Sequence, residues 1–190
     1  MKKHKKIYGI CILWVACLLI AAVLFWWQST RPVSNEAYVS RIQSLTPAPQ
    51  GAVPTPRRDN TMAAISLDGV DFVGVLEMPR YDSALPVCAR WGSRTQYPCC
   101  FSGSVYDGTL RIGATSRQGQ YDFYREISVG DSVYFTDMEG NRYAFTVSDL
   151  RYEKQADQET LSQNNADLTL FIKNVYALEY IVIFCDVANG

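Results

Sequence analysis

At 190 residues, 48% hydrophobic and 19% charged, the chain has room for one folded domain with appendages and is neither disordered nor fibrous. Setting aside Lys2, Lys3, Lys5 and Lys6 leaves 14 basic residues against 19 acidic ones, a formal charge of −5 on the remainder. That argues against the basic face that nucleic acid or an anionic lipid surface requires.

The first element is apolar. Residues 1–6 form a basic tail, and Ile7 to Trp27 follow without a charge. About 20 apolar residues span a bilayer as a helix, and Tyr8 and Trp26-Trp27 suit its two interfaces. With four lysines before the segment and Arg31 alone shortly after it, the positive-inside rule keeps the N-terminus cytoplasmic and exports the rest. A cleaved signal peptide is the alternative. The run is longer than an h-region of about 7–15 residues and no A-x-A-like site follows it, which favours an uncleaved, single-pass anchor in the cell membrane.

Residues 28–67 read as a short helix and a spacer. PVSNEAYVSRIQSL (Pro32 to Leu45) has Ser34 as N-cap and Tyr38, Ile42 and Leu45 as an apolar stripe. Pro47, Pro49, Pro54 and Pro56 then exclude helix and ladder alike, giving an extended stretch that holds the domain off the membrane. The folded domain, residues 68–190, is expected to be all-β. Phe72 to Met78 is a strand stopped by Pro79, Leu85-Pro86-Val87 a second short run, and Thr109 to Gly113 a third. Asp131 to Asp137 and Arg142 to Leu150 alternate on either side of the Glu139-Gly140-Asn141 turn and form a hairpin. Asp157 to Leu161 is one helical turn. DLTLFIK (Asp167 to Lys173) and EYIVIFCDV (Glu179 to Val187) are the closing strands. About seven short strands with little helix indicate a barrel or sandwich.

His4 is the only histidine and lies in the basic tail, so the exported part has no imidazole for Cys-His or Ser-His-Asp catalysis. Metal and cofactor signatures are missing as well: the cysteines lack paired C-x₂₋₄-C knuckles and no Gly-rich phosphate loop is present. No cofactor is expected. Cys11 and Cys17 read as small apolar residues of the membrane segment. Cys88, Cys99, Cys100 and Cys185 are exported, and four cysteines permit three connectivities that spacing does not choose among. Lys173, at the end of a strand, is the one residue with unusual chemical scope: desolvated, it would serve as base to Thr115 or Ser116. The plainer reading is a solvated strand-end lysine.

From Phe72 to Val187 the sequence resembles a sortase domain, most closely the class B-like transpeptidases of Gram-positive bacteria. GVLEMP with LPV resembles the family's opening strand and turn, and YPCCFSGSVY (Tyr97 to Tyr106) its P-C-R-Y-S-G-S segment. VGDSVYFTDMEGNRYAFTV (Val129 to Val147) is similar to the central hairpin, and DLTLFIK to the L-T-L-F-T-C strand. The resemblance implies a closed sortase-type β-barrel of about seven to eight strands behind a membrane anchor. Sortases cut a sorting peptide with a strand-end cysteine, and an amine resolves the thioacyl-enzyme; a histidine and an arginine complete the site. Matched residue by residue, Thr115 of LRIGATS falls on the histidine, Lys173 on the cysteine and Tyr180 on the arginine, with Glu179 as the one-residue alternative. Thr carries no proton at neutral pH as imidazole does, an ammonium forms no thioacyl bond, and neither Tyr nor Glu supplies a fixed cation for an oxyanion.

The resemblance therefore implies a binding protein rather than an enzyme. It would hold a sorting-motif peptide, a pilin or an active sortase in a groove of Thr115, Ser116, Lys173, Glu179 and Tyr180. The alternatives are a transpeptidase with an atypical site using Cys99 or Cys100, or a Ser/Thr-Lys hydrolase built on Lys173. Cys99 and Cys185 match non-catalytic cysteines of the subgroup and are expected to pair as a disulfide or as neighbouring thiols.

Overall fold

The computed structural model describes residues 14, 17–21, 23, 35–92, 97–117, 120–162 and 164–188. Most of the expected membrane segment, and Ser34, fall outside these. Within that segment residues 14, 17–21 and 23 are helical and exposed; among the described residues no helix is long and apolar enough to cross a membrane. The chain divides into residues 1–33 and 34–190, and every strand belongs to the second unit.

Among the described residues ten strands form one sheet: β1 (Gln50–Ala52), β2 (Ile65–Leu67), β3 (Val70–Met78), β4 (Ser83–Cys88), β5 (Cys99–Ser102), β6 (Leu110–Thr115), β7 (Ser132–Asp137), β8 (Asn141–Glu153), β9 (Leu168–Lys173) and β10 (Tyr180–Val187). The order β8-β10-β9-β6-β5-β4-β3 closes through β7, which pairs with both β3 and β8, so eight strands make a barrel. Full closure leaves the barrel strands no free edge. The pairs β4–β5 and β6–β9 are parallel, while the other barrel pairs are antiparallel.

Alternation decides what fills the interior. Ile112 and Ala114 from β6, Val133 and Phe135 from β7, Leu170 and Ile172 from β9, and Ile181, Ile183 and Cys185 from β10 all point inward. The hairpin is placed where the sequence puts it, with Val133 opposite Phe145 and Phe135 opposite Tyr143. Its turn is held by Asp137, whose Oδ1 accepts the N–H groups of Glu139 and Asn141, both at 2.9 Å. Pro79 ends β3 and opens a 3-10 turn, Pro79–Tyr81, as a residue without an N–H to donate should. The helix α1 (Asn35–Leu45) precedes the strands, and the expected helical turn is α2 (Gln158–Leu161). Asp157 caps α2, its carboxylate accepting the Thr160 N–H.

Two clusters lie on the outside of the barrel. One sits beneath α1 and contains Val39, Ile42, Phe72, Val75, Cys88 and Cys99. The other gathers Leu161, Phe171, Val182 and Phe184.

The short helix expected in residues 28–67 is present as α1, but the extended spacer expected after it is a correction. Val39 and Ile42 of α1 are buried on β3 and β4, whereas Leu45 of the anticipated stripe is exposed. Tyr38 donates to Asp68 at 3.0 Å and meets Phe72 and Tyr97 ring to ring. Beyond the helix, β1 adds in parallel to Asn141–Tyr143 of β8, with the Gln50 N–H donating to the Gly140 carbonyl at 2.8 Å. Arg57 pairs with Glu139 at 2.8 Å and covers the Tyr106 ring, its guanidinium 3.9 Å from the centroid. Proline excludes helix here but allows three residues of edge pairing, so the stretch is a strap across the barrel, and the domain begins before Asp68.

Candidate functional site

Three strands bring the expected site positions together. In the parallel pair β6–β9, Thr115 is in register with Lys173; in the antiparallel pair β9–β10, Lys173 is in register with Tyr180. Residues in register share a face, and since Ala114, Ile172 and Ile181 point into the core, the row Thr115–Lys173–Tyr180 stands on the outer face. It lies at the C-terminal ends of β6 and β9, where side chains leave the packed sheet for the loops.

The hydroxyls of Thr115 and Ser116 each have a partner other than lysine. Thr115 Oγ1 donates to Gln120 Oε1 at 2.8 Å, and the same oxygen accepts the Thr115 N–H at 3.1 Å. Ser116 is buried; its N–H donates to the Lys173 carbonyl at 3.0 Å and its Oγ accepts the Val175 N–H at 3.1 Å. Lys173 is exposed, and among the described residues its ammonium makes no hydrogen bond or ion pair. A Ser/Thr-Lys dyad needs nucleophile and base in hydrogen-bonding reach, and neither hydroxyl is bonded to Lys173.

Glu179 closes the β9–β10 loop instead of joining the row. Its Oε1 accepts Asn174 Nδ2 at 3.2 Å and its carbonyl accepts the Asn174 N–H at 3.0 Å, while Asn174 Oδ1 accepts the Tyr176 N–H at 3.0 Å. Asn174 is buried. This anchored loop presents Tyr176 at 87% exposure and Leu178 at 95%, beside the partly exposed Val175.

Two residues back along the strands from the row lie Gly113 and Phe171, also in register. The missing side chain at Gly113 makes room for aromatic rings: a Cβ there would fall 2.2 Å from Trp91 Cζ3 and 2.4 Å from Phe171 Cζ. Trp91, Phe101 and Phe171 meet with centroids 5.3–6.2 Å apart, and Tyr180 joins Phe171 at 6.5 Å. The outer face is thus an aromatic floor, with a cation, a phenol and a hydroxyl along one border and an apolar loop beyond. Such a surface offers aromatic stacking together with hydrogen-bond donors and acceptors. The row contains no thiol and no imidazole. Trp91 and Phe101 are not legible as site residues in the sequence, because they come from a loop and from a strand too short to show alternation.

The cysteines lie elsewhere, and the pairing of Cys99 with Cys185 is a correction. Cys185 points into the barrel, in register with Leu168 on one side and Val147 on the other, and burial pushes its thiol up. Cys99 belongs to the outer cluster under α1, in register with Cys88. The two residues occupy opposite faces of the sheet. Cys100 opens onto a cavity of about 530 Å³ between the strap and the barrel, with Asn60, Asp71, Arg90 and Asp107 on its walls. Burial, with Cys99 alongside, pushes the Cys100 thiol up to about 11, the reverse of the activation a nucleophilic cysteine requires.

No protein-family model and no curated protein matches the sequence. Solved structures do. Sortase A from Corynebacterium diphtheriae superposes with a TM-score of 0.57 at 18% identity, over 64% of this chain and 62% of that one. Sortase C1 from Streptococcus agalactiae gives 0.54 at 14% identity, over 66% and 72%. Clostridium perfringens sortase C, solved with the C-terminal cell wall sorting motif, gives 0.54 at 15% identity, over 63% and 72%. The chain therefore spans less than two thirds of the first of these relatives. At such identity the likeness establishes the fold, and the domain has the sortase fold.

Proposed function

We propose that this chain is a membrane-anchored, extracellular sortase-fold protein that binds a sorting-signal peptide without cleaving it. The observation that carries this reading is the row Thr115–Lys173–Tyr180. The three positions that the family resemblance assigns to histidine, cysteine and arginine lie side by side on one outer face, and the groups they hold are a hydroxyl, an ammonium and a phenol. Residues 7–27 serve as the anchor.

In the bound state an extended peptide, carried by a pilin or another surface protein, lies on the aromatic floor of Trp91, Phe101 and Phe171. Lys173 meets its carbonyl or carboxylate oxygens, and Tyr176 and Leu178 cover it from the loop. Docking of an active sortase on the same exposed loop is the second way to use this face. An atypical enzyme using Cys100 finds less support, because that thiol is held protonated at neutral pH and faces away from the row.

The test uses the full chain in detergent with a fluorescent sorting peptide and an amine acceptor. Saturable binding with the peptide recovered intact by mass spectrometry is the expected result. Lys173→Glu and Leu178→Asp are each expected to weaken binding by about fivefold or more, as loss of a central contact does. Turnover abolished by Lys173→Ala or Cys100→Ser would overturn the non-catalytic reading. A lack of binding that the variants do not alter would remove the peptide from it.

A further inference from the structure

Strands β4 and β5 meet at a single register pair, Cys88 opposite Cys99. The Cys88 N–H donates to the Pro98 carbonyl at 2.8 Å, which fixes the two chains against each other at that point. Both side chains enter the outer cluster beneath α1, with Phe72 and Tyr97 around them, and they are 2% and 0% exposed. Cys99 Sγ donates to the Tyr97 carbonyl at 3.2 Å, and the neighbouring Cys99 thiol, followed by burial, pushes the Cys88 thiol up.

From this arrangement we infer that Cys88 and Cys99 form a cross-strand disulfide when the domain folds outside the cytoplasm. Adjacent strands lie about 4.8 Å apart, inside the Cα separation of about 4.4–6.8 Å that a disulfide spans. Shared membership of one outer cluster puts both side chains on the same side of the sheet, the arrangement a cross-strand bond requires. Neither other cysteine of the domain offers this: Cys100 points to the opposite face, and Cys185 lies inside the barrel on a strand that does not adjoin β5.

The bond forms by two exchanges with an external disulfide, glutathione disulfide or the disulfide of an oxidoreductase. The Cys88 thiolate attacks it, one external thiolate leaves, and a mixed disulfide forms. The Cys99 thiolate then attacks the Cys88 sulfur and expels what remains. Two protein thiols are oxidised to one disulfide, the external disulfide is reduced to two thiols, and the two protons end on those thiols. Since thiolate is the attacking species and the folded domain buries both sulfurs, exchange belongs to folding, before α1 covers the cluster.

The link closes residues 89–98 into a loop, and that loop carries Trp91, whose ring lies over Gly113. Oxidation therefore ties down the side chain that floors the outer face. The pairing follows from the register of β4 and β5 and is independent of what that face binds.

The full chain, unfolded in detergent and refolded with and without glutathione disulfide, is alkylated, digested with trypsin without reduction and mapped by mass spectrometry. Trypsin separates the residue 81–90 peptide, with Cys88, from the residue 95–111 peptide, with Cys99 and Cys100. These two are expected as one species, two hydrogens lighter than their sum, that reductant splits. Cys100→Ser should keep the link and Cys99→Ser abolish it. Reductant should lower the melting temperature of the oxidised chain by on the order of 10 °C and leave Cys88→Ser unmoved. Alkylation of both Cys88 and Cys99 after oxidative refolding, or a link that runs through Cys100 or Cys185, would overturn the assignment. The mapping of the wild-type chain decides the matter even where a variant fails to fold.

Discussion

Asp131 holds the start of the hairpin with one buried carboxylate. It accepts the Tyr81 hydroxyl, the Ser128 N–H and the Arg80 guanidinium, joining the 3-10 turn after β3 to the head of β7. Burial alone would push this carboxyl up, but the three donors outweigh it and hold Asp131 below the usual carboxylate range. Burial first, and the same contact second, push the Tyr81 phenol up to about 12. Because the folded carboxyl titrates below the unfolded one, its stabilisation is complete above the unfolded value of about 3.9 and is lost as pH falls through the lower folded value. Arg80 is more than half exposed, so its ion pair adds little, and the phenol and the backbone N–H carry the effect. Asp131→Asn is expected to cost about 1–3 kcal/mol at neutral pH and to flatten the loss of melting temperature in acid. Melting curves from about pH 6 down to about pH 3, across the carboxylate range, check this, and parallel slopes for variant and wild type would refute it.

At the scale of elements, the outer face of β6 depends on a side chain that is missing. Gly113→Ala places a methyl within 2.4 Å of both the Trp91 and Phe171 rings. Overpacking of this kind costs about 1–3 kcal/mol, and Trp91, on a loop, is the partner free to yield. In a chain of residues 34–190 Trp91 is the only tryptophan, so the substitution should red-shift its emission and raise its quenching by acrylamide. An unchanged spectrum would mean that the ring does not lie where the floor requires it. The sequence is informative where alternation is long and local. The β7–β8 hairpin shows Val133 and Phe135 on one side, Tyr143, Phe145 and Val147 on the other, and Gly140 at φ +83° in the turn, all readable in order. It is silent on β1, β2 and β5, three or four residues each, whose pairing is decided by distant partners rather than by their own pattern. The same limit explains the cysteines. Which face Cys99 or Cys185 takes depends on register, a one-residue slip reverses it, and no spacing reveals it. The row Thr115–Lys173–Tyr180 is within reach because a matched pattern carries register with it; the Trp91 floor is not.

At the scale of the whole domain, residues 35–67, ahead of β3, are structural. Residues 35–67 add α1, β1 and β2 to the barrel: Val39 and Ile42 cover β3 and β4, and β1 pairs beside the β7–β8 turn. The fit at that turn is close, since a Cβ on Gly140 would lie 2.9 Å from the Pro47 carbonyl oxygen. A spacer would be dispensable, whereas a segment packed this way is expected not to be. Burying a side chain such as Ile42 contributes about 1.5–3 kcal/mol, and truncating one to alanine costs about 2–5 kcal/mol, against a total stability of about 5–15 kcal/mol for a domain. Ile42→Ala should therefore lower the melting temperature measurably while the barrel still folds. A chain starting at Asp68 loses the whole outer cluster's lid and exposes Phe72, Val75, Cys88 and Cys99 together. It is expected to be unfolded or aggregated under conditions where a chain starting at Ser34 is folded. Circular dichroism and size-exclusion chromatography of the two distinguish the outcomes, and equal melting temperatures would return residues 34–67 to the role of a tether.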